Sequence, residues 1–301
     1  MRILITGGTG FIGKHLIIKL LEEGHNLLAL TRFAQESNIE NNLEKLQWIQ
    51  TSLILNEECF KVLKDFKPEI IIHLAWENIP DFTFETSLQN LQNQVAFFKK
   101  ICQFESINKI IVSGSCWEYN TRFGACNESE HVRSENYFTW AKNSFREFLE
   151  IECKTKGFSL YWARIFYVFG PDQRHNSLIP MLVSKIKNKE RIVINNPNNS
   201  CDYIYIEDLI LGINKLVHLN SINGIYNLGS GKSTKVIDII KMVEIEIYGN
   251  EYHFSKNLNL NIPKEHDFWA DISKSQNVLN WRPIFSLQEG IKKYIKNKLH
   301  E

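Results

Sequence analysis

The chain has 301 residues, and its 35 basic and 34 acidic side chains nearly cancel. A chain of this length buries enough surface to fold without disulfides or a structural metal, and balanced charge lacks the positive field needed to bind nucleic acid. The six cysteines have no Cys-x-x-Cys spacing, which is typical of reduced thiols, so no metal site is predicted. Residues 1–20 show no targeting pattern, and no apolar run approaches membrane-spanning length. We therefore expect a cytoplasmic protein that binds neither nucleic acid nor membrane.

Six short apolar segments alternate with segments of helical period through the first half of the chain. Near-continuous apolar runs of this length are typical of parallel strands covered on both faces. The predicted strands are 2–6, 26–31, 46–50, 69–75, 109–113 and 159–166. Amphipathic helices are predicted over 83–104, over 136–154 and near the C-terminus. This alternation predicts an α/β fold with a doubly wound parallel sheet.

Beyond Pro171 the alternation becomes irregular, and residues 195–199 form a cluster of turn-forming residues. We therefore expect a first domain over 1–170 and a smaller mixed α/β lobe over 171–301. Residues 201–219 again have the pattern of a strand followed by a helix. This segment is expected to return to the first domain.

A glycine-rich turn, Thr6-Gly7-Gly8-Thr9-Gly10-Phe11-Ile12-Gly13, follows the first predicted strand and precedes a helix. Glycine lets the backbone approach a pyrophosphate, and the amides at a helix N-terminus bind its charge. The glycines at 7, 10 and 13 have the spacing G-x-x-G-x-x-G. The turn therefore predicts a bound dinucleotide, with Gly7, Thr9, Gly10, Phe11 and Ile12 as cofactor-binding residues.

The second predicted strand ends in Thr31-Arg32 and lacks the carboxylate that binds the adenosine ribose in NAD-preferring proteins. The guanidinium of Arg32 instead offers several donors to a 2′-phosphate. NADP(H) is therefore favoured as cofactor, and NAD(H) remains possible.

Motifs along nearly the whole chain resemble the extended short-chain dehydrogenases, the NAD-dependent epimerase/dehydratase family. Besides the glycine turn they are Ile72-His73-Leu74-Ala75, Ser113-Gly114-Ser115, Gly170-Pro171 and the segments 202–208, 226–231 and 279–283. The resemblance implies a Rossmann-type domain, a lobe that binds a nucleotide-linked sugar, and a homodimer formed through the two long helices. It also implies further cofactor-binding residues, which are Ser52, Leu53, Leu74, Ala75, Asn90, Ser113 and Lys142.

Local strings are similar to the family branch that contains 4-ketoreductases of nucleotide-linked 6-deoxyhexoses. They are His73-Leu74-Ala75-Trp76, Ser115-Cys116-Trp117-Glu118-Tyr119 and Trp162-Ala163-Arg164-Ile165-Phe166-Tyr167. The family's 4,6-dehydratases carry an acidic pair where this chain has Cys116-Trp117, so the resemblance implies NADPH-dependent 4-ketoreduction. The implied substrate-binding residues are Trp76, Cys116, Trp117, Asn176 and Arg282. Two alternatives stay open: a nucleotide-sugar 4-epimerase with tightly bound NAD, and a non-catalytic NADP(H)-binding sensor.

The resemblance further implies a catalytic serine, tyrosine and lysine, which are Ser115, Tyr137 and Lys142. The family motif Tyr-x-x-x-Lys, however, places Phe138 where the tyrosine is expected. Adjacent side chains of a helix differ in direction by about 100°, so Tyr137 replaces Phe138 only if the helix start is irregular. Three interpretations remain: a local distortion brings Tyr137 to the site, another group relays the proton, or the chain binds cofactor without turnover. The candidate relay groups are Cys116, Glu118, His131 and His175.

Overall fold

The computed structural model describes residues 1–32, 43–220, 222–250, 254 and 258–299. Contacts between backbones divide the chain into two compact units. The first unit consists of Met1–Asn120, His131–Arg164 and Ile213–Tyr226, and the second consists of Thr121–Glu130, Ile165–Gly212 and Asn227–Glu301.

A seven-stranded sheet organises the first unit. Its strands are β1 (Arg2–Thr6), β2 (Asn26–Thr31), β3 (Leu46–Gln50), β4 (Ile70–His73), β5 (Lys109–Ser115), β7 (Ser159–Ile165) and β10 (Gly224–Leu228), in the order β10-β7-β5-β4-β1-β2-β3. Strand β1 pairs in parallel with β2 and β4, and β2–β3 and β4–β5 are parallel as well. The chain order therefore reverses between β1 and β4, the place where doubly wound sheets bind ligands beyond the carboxyl ends of their strands.

The helices that flank these strands include α1 (Phe11–Glu22), α2 (Glu57–Phe66), α3 (Phe84–Ile101) and α4 (Tyr137–Lys156). Helix α4 begins with a capping box, in which Asn136 and Thr139 bind each other's backbone N–H, and it ends at Gly157 with a left-handed φ of 77°. The buried face of α3 packs aromatic rings, among them Phe97 and Phe98, against the sheet side that also holds Trp162. Helices α3 and α4 therefore share one core cluster with strands β4, β5 and β7.

A smaller mixed sheet organises the second unit. It contains β6 (Phe123–Cys126), β9 (Ser200–Tyr205), β11 (Ser233–Lys235) and β12 (Asp267–Ala270), and β8 (Tyr167–Phe169) pairs with β9. Strands β12–β6, β12–β9 and β8–β9 are parallel, whereas β11–β9 is antiparallel. The helices of this part of the chain are α5 (Leu178–Lys187), α6 (Ile206–His218), α7 (Val236–Tyr248), α8 (Ser273–Leu279) and α9 (Leu287–Leu299).

Two buried carboxylates hold together the three motif segments 202–208, 226–231 and 279–283. Asp202 accepts hydrogen bonds from the backbone N–H groups of Ser230, Gly231 and Ala270. Asp208 accepts from the N–H groups of Ile284 and Phe285. The segments around 202–208, 226–231 and 279–283 therefore meet because they satisfy one another's polar groups.

The predicted α/β fold class, with a Rossmann sheet and a smaller mixed C-terminal sheet, is confirmed. All six predicted strands occur, with ends that differ by at most two residues. Strand β9, by contrast, pairs within the smaller sheet, and the segment that returns to the first unit is Ile213–Tyr226. An entirely buried strand such as β9 shows no pattern that assigns it to one sheet over another. Among the described residues, no helix has the length and apolar content needed to cross a bilayer.

Candidate active site

A pocket opens in the first unit beyond the carboxyl ends of β1, β2, β3 and β4. Its walls are Thr6, Gly7, Thr9, Gly10, Leu30, Thr31, Arg32, Thr51, Ser52, Leu53, Leu74, Ala75, Trp76 and Glu77. These include eight of the residues predicted to bind cofactor, namely Gly7, Thr9, Gly10, Arg32, Ser52, Leu53, Leu74 and Ala75. The pocket lies at the reversal of strand order, as expected for a dinucleotide site.

Glycines let the turn after β1 pass close to neighbouring backbone. Gly7 has a left-handed φ of 74°, and a Cβ there would lie 2.8 Å from the backbone nitrogen of Ala75. A Cβ on Gly13 would lie 2.2 Å from the carbonyl oxygen of Gly7. Gly10 precedes α1 without any side-chain cap, so the helix N-terminus next to the pocket is left to bind an anion through its amides. The turn therefore fits the pyrophosphate of a dinucleotide.

An ion pair marks the β2 side of the pocket. The guanidinium of Arg32 lies 3.4 Å from the carboxylate of Glu77, and both residues line the pocket. Asn90 accepts a hydrogen bond from the Glu77 N–H and donates to the Glu77 carbonyl, at 2.8 and 3.3 Å. Asn90 thus braces the loop that carries Glu77 and is not among the residues lining the pocket.

Beneath the pocket, a buried histidine links the first strands. The Nδ1 of His73 lies 2.7 Å from the Thr6 hydroxyl, and its Nε2 lies 3.2 Å from the side-chain oxygen of Gln94. Burial, reinforced by the positive charge of Lys142, lowers the pKa of His73 to about 3. This imidazole therefore stays neutral and holds the ends of β1 and β4 against α3.

The predicted lysine is held by a carbonyl and two aromatic rings. The Nζ of Lys142 donates to the carbonyl of Ser113 at 2.7 Å, and it lies 4.7 Å from the ring centroid of Trp76 and 5.9 Å from that of Phe138. A cation over an aromatic face is stabilised by the ring quadrupole. Burial lowers the pKa of Lys142 to about 8, against the opposing influence of Glu118. The ammonium is therefore a stronger acid than that of an exposed lysine.

Phe138, and not Tyr137, lies beside this lysine. The Phe138 side chain is buried, and its ring centroid lies 5.0 Å from that of Trp76 and 4.8 Å from that of Phe82. Tyr137 is 53% exposed, and its ring packs edge-on against Phe84 at 5.3 Å. Because the capping box starts α4 regularly, the helix start has no distortion that would exchange the two side chains.

Ser115 and Glu118 are joined at the end of β5. The Ser115 oxygen accepts the N–H of Trp117 at 3.2 Å, and the Ser115 N–H donates to Glu118 at 2.7 Å. The fully buried Glu118 carboxylate also accepts from Trp162 Nε1 and Arg164 Nε. Glu118 thus accepts hydrogen bonds from three donors and has a structural role. The hydroxyl hydrogen of Ser115 is still able to donate.

The other candidates occupy varied surroundings. Cys116 is buried, Trp117 is 41% exposed with its ring 5.3 Å from that of Phe82, and His131 is exposed. In the second unit, His175, Asn176 and Arg282 are all exposed, and Arg282 lines a groove within that unit. Sequence reasoning missed five pocket residues, which are Thr6, Leu30, Thr31, Thr51 and Glu77. Their signal is position, since each lies near the carboxyl end of a parallel strand.

Comparisons with known proteins agree with this geometry. The model of the NAD dependent epimerase/dehydratase family matches residues 3–229, and the chain belongs to that family. It is similar to the dTDP-4-dehydro-6-deoxyglucose reductase of Escherichia coli, with 26% identity over 98% of this chain and 96% of that protein.

Solved structures are similar over the full length of the chain. The UDP-glucose 4-epimerase of Thermotoga maritima superposes with a TM-score of 0.84 at 21% identity, covering 100% of both chains. The UDP-glucuronic acid 4-epimerase of Bacillus cereus, in complex with NAD, superposes with a TM-score of 0.83 at 25% identity and the same coverage. The chain is therefore a member of a family of NAD(P)-binding enzymes that modify nucleotide sugars.

Proposed function

We propose that the protein is an NADPH-dependent 4-ketoreductase of a nucleotide-linked 4-keto-6-deoxyhexose. The observation that carries this proposal is the replacement of a phenol by the Phe138 ring next to Lys142. The similarity to the E. coli reductase along nearly the whole chain supports the same reading.

The direction of the reaction decides whether a phenol is needed. Oxidising a sugar hydroxyl requires a base that removes its proton, and Phe138 has no oxygen to serve as one. Reducing a ketone forms an alkoxide at C4, which is basic enough to take a proton from a weak acid or from water. A site with phenylalanine at this position therefore favours reduction over reactions that begin by oxidation.

Each remaining polar group has a part in that reduction. A nicotinamide dinucleotide bound in the pocket supplies the hydride that goes to C4. The Ser115 hydroxyl donates a hydrogen bond to the C4 oxygen and orients the ketone. The Lys142 ammonium, held by the carbonyl of Ser113, stabilises negative charge as it develops on that oxygen. Trp76 and Phe138 limit the access of water to the lysine.

The proton that completes the new hydroxyl comes from Lys142, directly or through water. Burial brings the pKa of this ammonium to about 8, which makes it a usable acid near neutral pH. Tyr137, with its ring on Phe84, is not assigned this part. The family's dedicated acid, a tyrosine at position 138, is missing. Loss of such an acid typically costs 10² to 10⁴ in rate, so we expect a slow enzyme.

Arg32 supports the choice of NADPH, and Glu77 limits that choice. A 2′-phosphate at the β2 side of the pocket would gain a bidentate partner in Arg32. The same phosphate would have to compete with the Glu77 carboxylate, 3.4 Å from the guanidinium. We therefore expect a moderate preference for NADPH, with NADH still accepted. Trp76, Cys116 and Trp117 stay candidates for the sugar side, as do Asn176 and Arg282 for the diphosphate.

The purified protein, mixed with NADPH and dTDP- or GDP-4-keto-6-deoxyhexose, tests the proposal. Loss of NADPH absorbance should accompany formation of one C4 epimer of the 6-deoxyhexose, identified by NMR. The matched control is Lys142→Met, which keeps the length and apolar bulk of the side chain and should lose most turnover. Absence of cofactor oxidation with every such ketosugar would overturn the proposed reaction.

A 4-epimerase is the second candidate, favoured by the similarity to solved 4-epimerases. Such an enzyme keeps its NAD bound and interconverts UDP-sugars without net cofactor consumption. NAD that stays with the protein through purification, together with conversion of UDP-glucose, would select this function. A sensor without catalytic activity would show neither reaction, and Phe138→Tyr would not create one.

A further inference from the structure

Three potential metal ligands from distant parts of the sequence meet at the amino-terminal edge of the seven-stranded sheet. Glu23 follows the last turn of α1, His25 precedes the first residue of β2, and His218 ends α6. One ligand atom from each lies within 4.8 Å of the others. In the parts of the chain that the structure describes, no other three such side chains come together in this way.

The buried histidine of this group has an unsatisfied nitrogen. His25 is only 6% exposed, and its Nε2 has no hydrogen-bond partner. That nitrogen lies 3.6 Å from the nearer carboxylate oxygen of Glu23, Oε2. Buried polar atoms of folded proteins nearly always have a partner, so this unpaired nitrogen is available to bind a ligand.

The Glu23 carboxylate is oriented toward the two imidazoles. Its Oε1 accepts a hydrogen bond from the Asn214 amide at 2.6 Å and forms an ion pair with Lys19 at 3.2 Å. Its Oε2 is left to face His25 and the Nε2 of His218, which lies 2.9 Å away. Outer partners of this kind orient metal-ligating carboxylates in known sites.

The nearby positive charges do not occupy the space between the ligand atoms. Lys19 binds the far oxygen of Glu23. The amino group of Met1 lies 3.5 Å from Nδ1 of His25, the ring nitrogen that does not face Glu23. A cation between the two Nε2 atoms and Oε2 would therefore displace neither contact.

The buried ammonium of Lys109 fixes the end of α6 in place. The Nζ of Lys109, at the start of β5, donates to the carbonyls of Leu216, Val217 and Leu219. These bonds satisfy the carbonyl groups of the last helical turn on both sides of His218. The backbone of this ligand is thus held in place before any ion binds.

We propose that Glu23, His25 and His218 form a binding site for a divalent transition metal, with Zn²⁺ as the best fit. Two imidazole nitrogens and one carboxylate oxygen are a ligand set that zinc uses, with bonds of about 2.0 to 2.2 Å and a water in the fourth position. Tetrahedral bonds of that length separate ligand atoms by about 3.3 Å, close to the separations of 2.9 and 3.6 Å between Oε2 and the two histidines.

A metal bound at this site would stabilise the fold and would not take part in the reaction. The cofactor pocket lies at the carboxyl ends of β1 and β2, whereas the three ligands lie at the opposite edge. Strands of five or six residues separate these edges by roughly 15 to 20 Å. A metal here would join α1, β2 and α6, and this inference does not depend on the proposed reaction. Cysteine spacing gave no sign of the site because its ligands are histidines and a glutamate almost 200 residues apart.

Calorimetry with ZnCl₂ on the chelator-treated full chain tests the site. The wild type should bind one Zn²⁺ per chain, and its melting temperature should rise by several degrees in excess Zn²⁺. His218→Gln and Glu23→Gln should each weaken binding at least tenfold and lose the thermal shift. His131→Gln, which removes an exposed histidine elsewhere, is the matched control and should bind like the wild type.

Circular dichroism of the metal-free variants distinguishes lost ligands from lost folding. His218 has a side chain that is 48% exposed, so His218→Gln should melt near the wild type without metal. The proposal is overturned if the wild type binds no Zn²⁺, or if His218→Gln binds it as tightly as the wild type does. Equal losses in His131→Gln would also overturn it, because they would show nonspecific binding to histidines.

Discussion

The ammonium of Lys142 lies 4.7 Å from the ring centroid of Trp76 and 5.9 Å from that of Phe138. These rings replace water around the charge, and burial accordingly lowers the pKa of the lysine to about 8. A lysine in this environment can donate a proton near neutral pH, which an exposed lysine does poorly. The same aromatic surroundings place a carbon ring where a phenol would otherwise act.

Restoring the phenol should accelerate the proposed reduction. Phe138→Tyr adds a hydroxyl beside Lys142, and a positioned acid contributes about 10² to 10⁴ in rate, so we expect kcat to rise at least tenfold. Tyr137→Phe is the control for loss of a hydroxyl one residue away, and it should change kcat less than twofold. Steady-state NADPH oxidation measures both. A large loss in Tyr137→Phe would instead assign the proton to Tyr137.

The pH dependence of turnover should report the ionisation of Lys142. Its charged form is the acid, so kcat should be level below its pKa of about 8 and fall as pH rises through that value. The residual activity of Lys142→Met should lack this descending limb. A limb that persists in Lys142→Met would belong to another group and would contradict the assignment.

The lowered pKa of Lys142 also affects stability. Whereas kcat should fall as pH rises, the stability of the folded chain should increase. The unfolded chain keeps the ordinary lysine value of 10.5, so between about pH 8 and 10.5 it binds more protons than the folded chain. Stability from this group therefore rises with pH across that window, and the penalty for the buried charge is fully present below it. Urea unfolding measures the free energy of unfolding of the wild type and of Lys142→Met at pH 7 and pH 9.5. The wild type should gain stability relative to Lys142→Met at the higher pH.

Arg32 and Glu77 should set the cofactor preference in opposite directions. Glu77→Gln removes the carboxylate that competes with a 2′-phosphate, so the ratio of kcat/KM for NADPH to that for NADH should rise several-fold. Arg32→Ala removes the phosphate partner and should lower the ratio by about tenfold, in line with 1.5 kcal/mol or more for a charged hydrogen bond. Parallel titrations with both cofactors measure the ratio. No change in either variant would place the 2′ position elsewhere.

The buried pair of Glu118 and Arg164 should support the fold. Their side chains are 0% and 1% exposed and lie 2.9 Å apart. Arg164→Met leaves the carboxylate buried without its cation, and such a loss costs about 3 to 5 kcal/mol in the free energy of unfolding. Urea unfolding measures this cost. Lys293→Met, which breaks an exposed pair with Glu207, is the matched control and should cost less than about 1 kcal/mol.

The homodimer through α3 and α4, which the resemblance implies, stays a prediction. Sedimentation of the purified protein is the direct measurement, and a monomer at micromolar concentration would contradict it.

Local sequence patterns determined the strands, the long helices and the cofactor turn. Apolar runs of four to seven residues and glycines at fixed spacing dictate backbone conformation over short distances, so they can be recognised in one stretch of chain. For this reason β1, β2 and β3 begin and end where the sequence predicted, and Gly7 and Gly10 line the pocket.

Tertiary structure alone decided which side chains meet. Trp76 lies against the ammonium of Lys142, although the two residues are far apart in the chain. Glu77 reaches Arg32 because β2 and β4 both end at the pocket, and His25 approaches His218 because the end of α6 is fixed by the far strand β5. Such contacts join residues tens to hundreds of positions apart, and no local pattern encodes them, since they depend on how the elements pack.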